Sequence, residues 1–228
     1  MAVQKVFKRY EYKYLLTREQ KELLQNVMEE YMIPDEYGKS TICNLYFDTP
    51  QYLLIRRSIE NKVYKEKVRL RTYGRAEPAG EAFIELKKKY KKVVYKRRIC
   101  TEYEKAIQYL CRGERVVGES QIGEELDYAL RLYQGIRPAM WLSYEREAFY
   151  GKEDHELRMT FDQNILWRTE DLDLSSPIYG RSLLDEDQSL LEIKVGHAIP
   201  LWLSHFLTEN KMFRTSSVSY THLTLPTN

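Results

Sequence analysis

The sequence has few of the residues that mark the common catalytic and cofactor sites. Its four histidines, His155, His197, His205 and His222, are scattered along 228 residues. It has no glycine-rich phosphate loop of the P-loop or Rossmann kind, and no serine in a nucleophile elbow. Histidine-based metal sites, dinucleotide binding and serine hydrolysis are therefore poorly supported.

Cysteine is also scarce. Cys43, Cys100 and Cys111 form an odd number without the spacing of a metal site. This pattern predicts buried free thiols in a reducing compartment. No apolar run approaches the length of a membrane-spanning helix, and residues 1–7 contain no apolar signal core. We therefore expect a cytoplasmic protein without direct membrane insertion.

The sequence lacks a large excess of either charge. Lys and Arg total 36 against 34 for Asp and Glu, so the formal net charge is only +2. This value argues against a general nucleic-acid coat or a polybasic membrane anchor. A binder of single-stranded nucleic acid would need an open basic groove with exposed aromatic residues, and the small net charge disfavours that function too.

The remaining composition is that of a folded chain. Its 228 residues fit one large domain, or at most two small ones, with a substantial core, and an apolar fraction of 43% is that of a folded protein. Capping boxes at Thr17 with Gln20 and at Thr101 with Glu104 predict two helix starts. The predicted helices cover roughly residues 17–31, 52–59, 103–112, 123–133 and 201–209. The predicted strands cover 3–16, 40–48, 63–73, 82–90, 92–100, 139–150, 157–167 and 190–195.

This order of elements predicts the fold class. Many strands with only peripheral helices indicate an α+β protein built as a barrel or a strongly curved antiparallel sheet, and argue against βαβ winding. Of the two, we predict a closed antiparallel β-barrel. Residues 1–216 are predicted to form this one domain. Residues 217–228 follow neither a helical nor a strand pattern, and we interpret them as a non-native or disordered tail.

Charged residues share one face of several predicted strands. Side chains two residues apart lie on the same face, which puts Lys65, Lys67, Arg69 and Arg71 opposite Val68 and Leu70. A solvated outer face usually causes such alternation. Four like charges in a row repel one another without an anionic counterpart, however, and the pattern recurs elsewhere with single carboxylates interspersed. A barrel bore lined by these faces would suit phosphate and a divalent cation.

Several segments of the chain resemble the VTC-type polyphosphate polymerase domain. This domain is a member of the triphosphate tunnel metalloenzyme, or CYTH-like, superfamily. The matching segments occur in the expected order over roughly residues 5–216. They are Phe7-Lys-Arg-Tyr-Glu-Tyr-Lys-Tyr14, Leu45-Tyr-Phe-Asp-Thr-Pro50, Tyr64-Lys-Glu-Lys-Val-Arg-Leu-Arg-Thr-Tyr-Gly74, Phe83-Ile-Glu-Leu-Lys87, Val94-Tyr-Lys-Arg-Arg98, Tyr144-Glu-Arg146, Leu157-Arg-Met-Thr-Phe-Asp162 and Leu191-Glu-Ile-Lys194.

The resemblance implies a tunnel barrel of about eight strands, a Mn²⁺ or Mg²⁺ cofactor, and growth of polyphosphate from the γ-phosphate of ATP. It implies that Lys96 lies near the transferred phosphoryl group, with Arg146 and Arg158 as further catalytic candidates. Glu192 matches the metal-binding glutamate, and Glu11 and Glu85 lie where wider-superfamily members place carboxylates. The side chains expected to hold phosphate are Lys13, Arg69, Arg71, Lys87 and Lys194.

Three functions stay open. The first is polyphosphate polymerisation, which needs alignment and charge neutralisation but no strong general base. The second is an inorganic or nucleoside triphosphatase of the same fold, and the third is a non-catalytic polyphosphate-binding module. Family members usually continue after Arg214-Thr-Ser216 with a Ser-Lys-aromatic segment, whereas Ser217-Val-Ser-Tyr220 here has no lysine. The expected partners are ATP and inorganic polyphosphate, and the sequence identifies no partner protein.

Overall fold

A computed structural model describes residues 10–61, 63–91, 93–114 and 120–215. These residues form two compact units. Unit 1 contains residues 10–40, 144–165 and 182–215, and unit 2 contains the described residues of 41–143 and 166–181. The boundary runs through individual strands.

The described residues form nine strands and five helices. In chain order these are β1 (Tyr10–Thr17), α1 (Arg18–Tyr31), β2 (Met32–Asp48), α2 (Leu53–Glu60), β3 (Tyr64–Tyr73), β4 (Glu81–Tyr90), β5 (Val93–Glu102), α3 (Tyr103–Arg112), α4 (Gln121–Leu132), β6 (Arg137–Gly151), β7 (Arg158–Arg168), β8 (Arg181–Ser182), β9 (Gln188–Val195) and α5 (Leu201–Glu209).

In unit 1 the strand order is β1-β9-β7-β6-β2. The β1–β9 and β9–β7 pairs are antiparallel. One face of these strands packs against α1 and α5, where Leu16, Met159, Ile193 and Leu203 are fully buried. Helix α1 begins as the sequence predicts, because Thr17 and Gln20 form the reciprocal hydrogen bonds of a capping box.

In unit 2 the order is β6-β2-β3-β4-β5, and the β2–β3, β3–β4 and β4–β5 pairs are antiparallel. The apolar face of these strands packs against helices α2, α3 and α4. Val68, Leu70 and Leu86 of the strands lie in one core with Tyr109 of α3 and Leu126 of α4. The alternation of charged and apolar residues predicts this core, because each strand buries one face and leaves the other polar.

The α+β class and the antiparallel pairing are confirmed, while closure of the strands into a barrel stays a prediction. Helices α3 and α5 have the bounds predicted from the sequence. The capping box predicted at Thr101 and Glu104 is wrong, because Glu102 is the N-cap residue of α3 and its side chain makes no cap hydrogen bond. The prediction of a tail over residues 217–228 lies outside the described residues.

Two further expectations need correction. Strand β2 begins at Met32 and not at Ser40, because Pro34 and Gly38 interrupt the alternation on which the prediction relied. All three cysteines are free thiols as expected, but only Cys43 is buried, whereas Cys100 and Cys111 are exposed. None of the described helices is both long and apolar enough to cross a membrane.

The buried carboxylate of Asp48 stabilises the start of α2. Its Oδ1 accepts hydrogen bonds from the amides of Thr49 (2.7 Å) and Leu54 (2.9 Å), and its Oδ2 accepts one from the amide of Ile55 (3.0 Å). We expect Asp48→Ala to lower the free energy of unfolding by about 3 kcal/mol, because buried amides would lose their acceptor. Asp48→Asn keeps one acceptor oxygen and should lose less. Urea unfolding measures both variants, and an unchanged midpoint in Asp48→Ala would contradict this role.

Candidate active site

Unit 1 places five of the predicted site residues on neighbouring strands. Between β1 and β9, Lys13 lies opposite Glu192 and Glu11 lies opposite Lys194. Between β7 and β9, Arg158 lies opposite Lys194. Because these residues are an even number apart within each strand, they share one face of the sheet. We call them, with Arg146 of β6, the Glu192 cluster.

Glu192 is the buried centre of this cluster. Its Oε2 lies 2.7 Å from Nζ of Lys194 and 3.9 Å from Nη2 of Arg146. Its Oε1 lies 3.8 Å from Nζ of Lys13. Burial by itself would raise the pKa of Glu192. A hydrogen bond with Glu11 and the three nearby cations outweigh burial and hold that pKa well below its usual range, so the carboxylate stays ionised.

Arg146 is held in place by an acidic residue that the sequence analysis did not assign to the site. Its Nε and Nη2 donate to the two oxygens of Asp162 at 2.6 and 2.7 Å. This bidentate pair is largely buried, with 17% of the Arg146 side chain and 7% of the Asp162 side chain exposed. The geometry orients the guanidinium, since two parallel bonds to one carboxylate leave it little freedom.

Two buried polar atoms beside Glu192 have no hydrogen-bond partner among the described residues. They are Nε of Arg158 and the hydroxyl oxygen of Thr160, and Thr160 lies directly opposite Glu192 between β7 and β9. Buried polar groups in folded proteins are nearly always paired. Within the described part of the chain, these two atoms are therefore unsatisfied polar groups on the strand face that carries the Glu192 cluster.

The donor set of the Glu192 cluster fits one mode of divalent-metal binding. In the part of the chain that the structure describes, no three acidic, histidine or cysteine side chains form a metal centre by themselves. Mg²⁺, however, is commonly bound by one or two carboxylates together with substrate phosphates and water. Glu192 and Glu11 supply two adjacent carboxylates, so the cluster suits a metal ion that arrives with phosphate.

Unit 2 carries a second group of predicted residues on strands β3, β4 and β5. Across these strands Arg69 lies opposite Glu85, and Glu85 lies opposite Arg98. In the next row, Lys67 lies opposite Lys87 and Lys87 opposite Lys96. Directly opposed like charges destabilise a sheet, so a row of three lysines favours an anionic ligand. We call residues Arg69, Glu85, Lys96 and Arg98 the Glu85 cluster.

Glu85 is almost fully buried and bonded to cations through both oxygens. Its Oε2 accepts from Nε and Nη2 of Arg69 at 2.6 and 2.5 Å. Its Oε1 accepts from Nε and Nη2 of Arg98 at 2.7 and 2.5 Å, and from Nζ of Lys96 at 2.8 Å. Burial would raise the pKa of Glu85, but the cations lower it far more. A metal ion bound here would have to displace an arginine or a lysine.

Three cations of this face, Lys96, Arg69 and Arg71, have different surroundings. Partial burial and the nearby charges of Arg98 and Arg69 together lower the pKa of Lys96 to about 8, although Glu85 partly offsets them. Arg71 is buried, and its Nε donates to Oδ1 of Asn44 at 3.0 Å. Arg69 also reaches the hydroxyl of Tyr46 at 3.4 Å. Strand β2 thus supports both arginines of β3.

The family of this chain is shown by comparison with models of known protein families. The model of the VTC domain family matches residues 8–223. The chain belongs to the VTC domain family. The resemblance inferred from the sequence motifs is therefore confirmed. A separate comparison with curated proteins found no match to this sequence.

Solved structures similar to this VTC domain share its fold at low sequence identity. A Bacillus halodurans protein named as an adenylate cyclase aligns with a TM-score of 0.58 and 14% identity, covering 93% of this chain and 94% of its own. A Hippeastrum protein, named as an adenylyl cyclase and described as having a dominant triphosphatase activity, aligns with a TM-score of 0.53 and 15% identity. That alignment covers 92% of this chain and 90% of the Hippeastrum chain.

The structure of the VTC domain brings together the predicted residues within each unit. It also adds four side chains that the sequence analysis did not assign to the site. The sequence gives a signal for Arg98 and Asp162, which share strand faces with Lys96 and Arg158. It gives none for Asn44 and Tyr46, because their role depends on the register between β2 and β3.

Proposed function

We propose that this VTC domain is a polyphosphate polymerase that transfers the γ-phosphate of ATP to the end of a growing polyphosphate chain. The observation that carries the proposal is the combination of family membership with two clusters in which a buried carboxylate is surrounded by lysines and arginines. Such clusters suit a polyanion, because each brings several lysines and arginines together, and in the Glu85 cluster three cations face one carboxylate.

The residues divide into those near the reacting phosphate and those that hold the chain. Lys96, Arg146 and Arg158 are proposed to neutralise charge on the transferred phosphoryl group and the departing ADP. The chain phosphates would be bound by Lys13, Arg69, Arg71, Lys87 and Lys194. The attacking terminal phosphate is ionised at neutral pH, so the reaction requires alignment more than a general base.

We propose Mn²⁺ or Mg²⁺ as the cofactor, held by Glu192 with Glu11. When bound, the ion would neutralise phosphate oxygens as a Lewis acid. Lys13 and Lys194 now pair with Glu192, and their long side chains can turn to phosphate oxygens when the carboxylate binds a metal ion. Glu85, the third predicted metal ligand, is bonded to three cations.

The same proposal includes the closure of the barrel, the location of the protein and its small-molecule partners. The strands are proposed to close into the antiparallel barrel that the family resemblance implies. A cytoplasmic location is proposed because three free thiols suit a reducing compartment. ATP and inorganic polyphosphate are the proposed partners, with residues 1–216 as the functional domain.

A triphosphatase reaction is the second candidate, in which water attacks the same phosphate. The dominant triphosphatase activity described for the Hippeastrum protein of similar fold favours it. A module that binds polyphosphate without turnover is the third candidate, because the sequence after Ser216 departs from the family pattern.

Incubation of the chain with ATP and Mn²⁺ separates these candidates. We expect phosphate chains that lengthen with time, which gel electrophoresis detects, and a matching amount of ADP. Release of orthophosphate without chains would favour the triphosphatase. Tight binding of polyphosphate without either product would favour the binding module. A reaction with a chelating agent is the control for metal dependence.

A further inference from the structure

We propose that Arg98 binds phosphate together with Arg69 and Lys96, and that Glu85 is a positioning residue that holds these three cations. The inference rests on the proposed function. It adds Arg98 as a phosphate-binding residue and gives Glu85 a positioning role. Arg98 lies in one of the segments that carry the resemblance, but neither the resemblance nor the predicted site assigns it a role, and Glu85 was predicted as a metal ligand.

The contacts of Glu85 are nearly symmetrical. Arg69 and Arg98 each turn the same edge, Nε and Nη2, to one oxygen of the carboxylate, at distances from 2.5 to 2.7 Å. Lys96 adds a third contact at 2.8 Å. With 1% of its side chain exposed, Glu85 cannot exchange these partners for water. One carboxylate thus fixes three cationic side chains at once.

Arg98 is built into the site and is still partly accessible. Its guanidinium carbon lies 4.6 Å from the centre of the Phe83 ring, which supports one face of the group. Its side chain is 34% exposed. Arg69 occupies the equivalent position on the other side of Glu85, with 20% of its side chain exposed. Arg98 therefore has the same arrangement as an arginine that the family resemblance assigns to phosphate.

The charge balance of the cluster favours an anion. Three cations surround a single carboxylate, so the cluster carries a net charge of about +2 at neutral pH. In the next row, Lys67 and Lys87 lie directly opposite each other across β3 and β4. A bound phosphate group would compensate this excess, since arginine binds phosphate through paired N–H groups and lysine as a point charge.

Arg97 provides a matched control on the same strand. Its side chain lies on the opposite face of β5, where Nε is 3.2 and 3.1 Å from the two carboxylate oxygens of Glu125 in α4. This is a pair of one cation with one carboxylate. Arg97→Gln removes the same charge as Arg98→Gln at a neighbouring position, but leaves the Glu85 cluster intact.

The test measures binding of inorganic tripolyphosphate by calorimetry, without ATP or metal, at a pH well below the Lys96 value of about 8. We expect Arg98→Gln to weaken binding about tenfold, as loss of a charge-assisted contact predicts, and Arg97→Gln to leave it unchanged. Glu85→Gln should strengthen binding about tenfold, because the site loses its own competing anion. The same variant should lower the turnover number for ATP, because its cations lose their fixed positions.

Thermal unfolding shows whether each variant is still folded. Glu85→Gln leaves three close cations without their anion, so its midpoint should fall, and tripolyphosphate should raise that midpoint more than it raises the unsubstituted one. Arg98→Lys, which keeps the charge, should bind more tightly than Arg98→Gln.

The inference is overturned if Arg98→Gln binds as tightly as Arg97→Gln does. Weaker tripolyphosphate binding in Glu85→Gln together with a lost Mn²⁺ dependence would return Glu85 to the metal-ligand role. If the unsubstituted chain binds tripolyphosphate but makes no phosphate chains from ATP, the polymerase proposal fails, and the binding data still decide the roles of Arg98 and Glu85. No tripolyphosphate binding by the unsubstituted chain would overturn both.

Discussion

Glu192→Gln is expected to lower metal-dependent turnover on the order of 100-fold or more, an effect of the size seen when a metal site or a charge-stabilising group is disrupted. The substitution keeps the size of the side chain and its carbonyl acceptor, but removes the charge that a divalent ion requires. It also removes the anion now paired with Lys13 and Lys194. Turnover of ATP across a Mn²⁺ titration and direct Mn²⁺ binding by calorimetry measure the two consequences separately.

Glu145→Gln is the matched control for this variant. Glu145 precedes Arg146 on β6 and therefore points to the other face, where its Oε2 lies 2.6 Å from Nζ of Lys39. We expect its turnover and Mn²⁺ affinity to equal those of the unsubstituted chain. An unchanged Mn²⁺ dependence in Glu192→Gln would place the metal elsewhere, with Glu11 or Glu85 as the next residues to replace.

Lys96→Met is expected to reduce turnover on the order of 100-fold, because it removes the lysine charge that is proposed to neutralise the transferred phosphoryl group. Lys96→Arg should keep much of the activity and change its dependence on pH. The pKa of Lys96 is about 8 in the free chain. A bound anion raises it, so phosphate binding is strongest below this value and weakens as the pH rises through about 8.

The pH dependence of tripolyphosphate binding tests this assignment. Arginine stays charged throughout this range, so Lys96→Arg should bind with nearly constant affinity while the unsubstituted chain loses affinity. Lys96 is faced by Glu85 of β4, Arg98 of its own strand and Arg69 of β3, with Lys87 opposite it. The ligand titrates identically in both samples, so only their difference reports on Lys96. Parallel curves would show that Lys96 does not control the dependence.

Much of the local structure could be predicted from the sequence. The capping box at Thr17 and the bounds of α5 agree with the structure. The alternating faces of β3 also agree, with Val68 and Leu70 fully buried while Lys65, Lys67 and Arg69 remain partly exposed. These features depend on residues close in sequence, whose spacing along a helix or strand has a fixed period.

The partners of the site residues could not be predicted in the same way. Asp162 shares a strand face with Arg158, as the spacing of the two residues indicates, but its two bonds go to Arg146 on β6. Glu85 was interpreted as a metal ligand from the family resemblance, and the structure surrounds it with three cations. In both cases the deciding contact joins two different strands.

The sequence by itself determined the antiparallel α+β class, the face on which each charged side chain lies, and the family to which the chain belongs. The tertiary structure alone decided which charges meet. A strand's period is two residues, so it determines a face, but the register with the next strand determines the neighbour, and register depends on turns and packing distant in sequence. Arg69, Glu85 and Arg98 come from three strands. Their meeting is therefore a property of the folded sheet, and the low pKa of the buried Glu85 follows from it.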